Sequence, residues 1–105
     1  MAYGKWYLTT EEEKYFISLF KYMIDELESG RRDEFDLSGK GINPAQAAKI
    51  MEQLGYSIQD RSYGGWVQDI WYYFENTSIC MYSCGQTFEL KIFIQIKGGK
   101  YNAST

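Results

Sequence analysis

"TFELKIFIQIK", residues 87–97, decides the fold. Its apolar residues recur at every second position: Phe88, Leu90, Ile92, Ile94 and Ile96 face one way, Glu89, Lys91, Gln95 and Lys97 the other. Period two is the signature of a strand with one dry face and one wet face, and one-sided strands of this kind belong to antiparallel sheets. Upstream, "WVQDIWYYFE" (66–75) and "ICMYSC" (79–84) also read as strands, with turns at Asn76-Thr77-Ser78 and Gly85. A shorter alternation at Tyr56–Gln59 precedes a turn at Tyr63-Gly64-Gly65. These segments predict a four-stranded antiparallel meander over residues 56–97.

The first half has a different period. Thr10 and Glu13 have capping-box spacing, and Glu11 and Glu12 suit the positive end of a helix. Phe16, Leu19, Phe20, Met23 and Leu27 then recur at helical spacing, with Ile17 and Ile24 widening the stripe, until Ser29-Gly30 stops it. A helix over 9–30 follows. Asn43 as N-cap and Pro44 in the first turn open a second helix over 43–55, with Ala47, Ile50, Met51 and Leu54 as its apolar stripe. The expectation is a single α+β domain, 1–105. Two N-terminal helices pack on the four-stranded sheet, and residues 98–105 form a loose tail.

Between the helices, "FDLSGKGINPAQAAKIMEQLGY" (35–56) resembles half of a calcium-binding EF-hand. A working loop needs oxygen ligands at alternate positions and a bidentate glutamate at the twelfth. Counted from Asp36, Ser38 fits the third position and Gly41 the sixth. Lys40 stands at the fifth, and the twelfth is Ala47. One acid, one hydroxyl and a lysine do not offset the dehydration of Ca²⁺. The segment reads as a helix connector, and no metal or cofactor is expected.

Composition excludes several kinds of chemistry. The chain has no histidine, which removes the usual general base and the commonest zinc ligand. Cys84 has no base evident beside it, and Cys80 stands four residues away, roughly 13 Å along an extended chain and too far to bridge. The glycines near Lys40 and Lys100 lack the spacing of a phosphate loop. A non-catalytic protein is the resulting expectation. Residues 1–36 hold nine acids against five bases, whereas the remainder holds five acids against six bases. Phosphate binding needs concentrated Lys and Arg, so direct nucleic-acid binding is not expected. Nor is a membrane span, and the first residues lack the apolar run of a signal peptide, favouring the cytoplasm.

The aromatic content, 18%, points to function. In 66–75, the residues Trp66, Ile70, Tyr72 and Phe74 share one side of the strand, leaving Trp71 and Tyr73 on the other. Phe93 interrupts the polar side of the last strand, and Tyr82 can join it. Rings flanked by Lys91, Glu75 and Asp69 fit a protein-binding face, because Trp and Tyr dominate interface hot spots. The alternative is that "YGKWYL", residues 3–8, or the helix connector folds over those rings. The candidate partner-binding residues are therefore Trp71, Tyr73, Phe93, Tyr82 and Lys91. Met1-Ala2-Tyr3-Gly4-Lys5, together with the small size, acidity and lack of catalytic motifs, resembles phage-encoded inhibitors of bacterial defence of the anti-CRISPR kind. That resemblance implies a stoichiometric inhibitor of another protein, and the acidic first helix suits a basic nuclease as its target. An immunity protein that neutralises a bacterial toxin shares the same traits, and a small-ligand domain with an aromatic pocket is a third reading.

Overall fold

The computed structural model describes residues 7–64 and 69–95. Its elements are α1 (Thr10–Ser29), β1 (Glu34–Asp36), α2 (Pro44–Gln53), β2 (Ile58–Tyr63), β3 (Asp69–Phe74), β4 (Ile79–Cys84) and β5 (Glu89–Ile94). The α+β class and the two helices are as expected. Among the described residues the sheet has five antiparallel strands rather than four, in the order β1-β5-β4-β3-β2. Strands β2 to β5 form the meander; β1, which lies in the presumed helix connector, adds to its far edge. Phe35 opposite Ile92 supplies the apolar contact that recruits this three-residue strand. The sequence pattern places Phe88, Trp66, Val67 and Ile96 in strands. Of these, Phe88 takes the left-handed position of the β4–β5 turn (φ 61°) and is half exposed, so β5 begins one residue after it. The other three, and the tail 98–105, lie outside the described residues.

Helix α1 is capped one residue earlier than the sequence suggested. The N–H of Glu12 donates to Thr9 Oγ1 at 3.1 Å, and the N–H of Thr9 donates to Glu12 Oε1 at 2.9 Å. Two threonines followed by three glutamates can form the box in either frame, and Thr9 with Glu12 forms it. At the other end Gly30, at φ 83°, lets the N–H of Arg31 reach the carbonyl of Glu26 at 3.1 Å. In α2 the Asn43 and Gln46 side chains form a second reciprocal box.

One face of α1 (Phe16, Phe20, Met23, Ile24, Leu27) and one of α2 (Ala47, Ile50, Met51) close over the inner side of the sheet. There they meet Phe74, Ile79, Met81, Leu90 and Ile92 in a single core. The connector contributes Leu37 and Ile42, both buried. Its polar groups are engaged internally. The Asp36 carboxylate accepts the Ser38 N–H at 2.9 Å, and the Ser38 hydroxyl accepts the Leu90 N–H at 2.9 Å. Hydrogen bonding by Ser38, through its side chain and then its backbone, holds the Asp36 carboxyl below its usual range. Of the two oxygens that most resemble calcium ligands, the Asp36 carboxylate thus closes a turn within the connector and the Ser38 hydroxyl ties that turn to β5. Among the described residues, no helix is long and apolar enough to cross a membrane.

Candidate functional site: the outer face of the sheet

The helices cover one side of the sheet, and the register sets what the other side presents. One row crosses β2, β3, β4, β5 and β1 as Ser62, Trp71, Tyr82, Lys91 and Asp36. The next runs Asp60, Tyr73, Cys80, Phe93 and Glu34, and a third runs Asp69, Cys84 and Glu89. All five candidate residues therefore share one face, as strand parity required.

Their surroundings differ. The Trp71 and Tyr82 rings are neighbours, with centroids 4.9 Å apart and planes tilted by 42°. The Tyr82 hydroxyl donates to Asp69 Oδ1 at 3.2 Å, and burial, before any neighbouring charge, raises its phenol well above the ordinary value. On the other flank Trp71 lies over the end of β2. A Cβ added to Gly64 would stand 2.8 Å from Asp69 Cβ and 3.2 Å from Trp71 Cζ3, so this glycine lets the indole settle onto the backbone. Trp71 is thereby held on two sides while remaining half-buried. Tyr73 is also half-buried, and burial is the first cause that raises its phenol, ahead of Cys80 and Asp60. Lys91 Nζ stands 3.8 Å from Glu34 Oε2.

Phe93 departs from the expectation of a presented ring. It lies on the outer face but only 3% of its surface is exposed. Its neighbours across the ladder are Cys80 and Glu34, and parity, which gives the face, does not report burial. Of the segment 3–8 proposed as a cover, Tyr7 and Leu8 are described. They line an open groove of about 520 Å³ with Glu13, Asn43, Pro44, Lys49 and Ile50 on the helical side, away from Trp71 and Tyr73. Residues 3–6 lie outside the described residues. Among the described residues, Tyr7 is the one aromatic side chain that lines this groove.

Charge completes the face. Glu34, Asp36, Asp60, Asp69 and Glu89 surround the rings, with Lys91 as the one base on these rows among the described residues. A shallow concavity beside Tyr82 is lined by Asp69, Cys84, Gln86, Thr87 and Glu89. Sequence reasoning found the rings but missed this grouping, because Glu34 and Asp36 reach the face only through β1. It also missed Tyr15 and Tyr22, both more than half exposed on the outward side of α1. Their seven-residue spacing, opposite Phe16 and Met23, was the available signal.

The two thiols on this face are both buried. Cys80 is 2% exposed and burial pushes its thiol up to about 11; Cys84 is also buried. The Cys80 thiolate, the nucleophilic form, is therefore scarce at neutral pH. Iodoacetamide at pH 8 is expected to label the native protein far more slowly than the urea-unfolded chain, with quantification by intact mass. Equal rates in the two states would refute this protection. Because the folded pKa is the higher one, the contribution of Cys80 to stability is complete below about pH 9 and declines as pH rises toward about 11.

No family model, curated protein or solved structure matches this chain, so the reading of the site rests on its geometry.

Proposed function

We propose that this is a non-catalytic protein that binds and inhibits another protein through the outer face of its sheet. The observation that carries the reading is the grouping of Trp71, Tyr82 and Tyr73 with five carboxylates and one lysine on the face opposite the helices. Rigid aromatic rings lose little side-chain entropy when covered, and surrounding acids favour a partner rich in Lys and Arg. The concavity beside Tyr82 suits a cationic side chain, with Asp69 and Glu89 on its walls and an aromatic face nearby. The target is thus a basic surface, such as that of a nuclease or a toxin, and inhibition follows from covering it.

Immobilised protein is expected to retain a basic partner from lysate at low salt and to release it as salt rises. Glu34→Gln with Glu89→Gln keeps the side-chain shapes and removes two charges. This variant should slow association with the isolated partner about tenfold at low salt and flatten the salt dependence. Unchanged association kinetics, with the fold intact by circular dichroism, would remove this face from the interface.

A further inference from the structure

Among the described strands β2 is the edge opposite β1, and its backbone shows what that edge accepts. The N–H of Gly64 donates to the carbonyl of Asp69 at 2.9 Å, which sets the phase of the β2–β3 ladder. Residues 60, 62 and 64 turn their backbone groups toward β3, and Arg61 and Tyr63 turn theirs outward. The β2 residues from Gln59 to Tyr63 are exposed, and Tyr63 keeps 67% of its surface, more than any other large apolar residue described. The Arg61 N–H is met by the carboxylate of its own neighbour, Asp60 Oδ1, at 2.8 Å.

We propose that this edge is a homodimer interface in which β2 pairs antiparallel with β2 of a second copy, centred on Ser62. Only this register lets both outward residues of each strand bond, Arg61 opposite Tyr63 of the other copy and the reverse, for four backbone hydrogen bonds. It is also self-complementary. Each guanidinium meets a tyrosine ring across the axis, as Arg61 already does with Tyr72 at 5.8 Å in its own chain, and each Asp60 falls opposite the side-chain-free Gly64. Centring on Arg61 would set two guanidinium groups face to face with half the bonds. The Asp60 carboxylate competes for the Arg61 N–H, so the pairing is weak and Asp60 holds the monomer open. The two-fold axis stands perpendicular to the sheet. Both outer faces therefore lie on the same side of a ten-stranded sheet, and the two Trp71 residues stand about three strand spacings, roughly 14 Å, apart. This pairing does not depend on the inhibitory role proposed above.

Sedimentation equilibrium from micromolar to millimolar protein tests the association. Wild type should show a weak monomer–dimer equilibrium, and Asp60→Ala should tighten it by about fivefold or more, the worth of freeing a backbone hydrogen bond. Tyr63→Pro removes an outward N–H and no ladder bond, so it should be monomeric with the fold retained. The paired change Arg61→Ala with Tyr63→Ser should also weaken the dimer while sparing the backbone. Crosslinking tests the register. Two copies of residue 62 face each other at a non-hydrogen-bonded position, with Cα atoms about 4.5 Å apart, within disulfide reach. Ser62→Cys should therefore join two chains under mild oxidation, and Arg61→Cys, whose copies are offset along the ladder, should not. Monomeric behaviour of both wild type and Asp60→Ala at millimolar protein would overturn the proposal, as would equal crosslinking at 61 and 62.

Discussion

Ile92→Asp is expected to leave the chain unfolded at room temperature. Ile92 has no exposed surface and lies in the middle of β5, with Met81 on one side and Phe35 on the other. The change removes an aliphatic group that the core cannot replace, at about 2–5 kcal/mol for a cavity of that size. It also places a carboxyl where no described partner faces it, adding several kcal/mol whether the group ionises or takes a proton. Against a typical total stability of about 5–15 kcal/mol, the sum removes most or all of the native population. Lys91→Gln, one residue away on the outer face, is expected to cost less than about 1 kcal/mol, since it loses only an exposed contact with Glu34 at 3.8 Å. Urea unfolding followed by circular dichroism would compare the two. Similar losses at 91 and 92 would show that β5 is equally buried on both sides.

The second large effect is on binding. Trp71→Ala is expected to weaken the partner complex by more than about 2 kcal/mol, roughly thirtyfold or greater. The indole is held between Tyr82 and Gly64 before any partner arrives, so covering it costs little ordering. Its loss also releases the contact with Tyr82, and a stability loss of about 1 kcal/mol, or several degrees in melting midpoint, should accompany the change. Tyr73→Ala should show the same order of damage at smaller size. Calorimetric titration and a melting curve on the same variant decide the matter. A collapse in stability with affinity retained would assign Trp71 to packing and end the interface reading.

Most of the architecture was legible because its signals are local. Strand parity placed Trp71, Tyr73, Tyr82, Lys91 and Phe93 on one face, and helix periodicity identified the buried stripes of α1 and α2. What escaped detection depends on partners distant in the chain. Strand β1 is three residues long with an acid at each end, and only its pairing with Lys91–Phe93 makes it a strand. The burial of Phe93 was likewise not legible, because strand parity assigns a face and not the exposure of a residue on it. Phe88 carried the right parity for the core, but the left-handed turn before β5 claimed it.

The attachment of β1 to β5 also sets the timetable of folding. A chain made from its N-terminus releases α1 and β1 early, but the sheet surface on which α1 packs, and the strand that β1 joins, are the last described elements to appear. Closing that loop across more than half of the chain costs entropy before it returns any contact. The meander of β2, β3 and β4 can assemble from neighbours, while the first third of the chain waits. Nascent chains stalled before Glu89 should remain open to protease along α1, and protection should come in one step once β5 clears the ribosome.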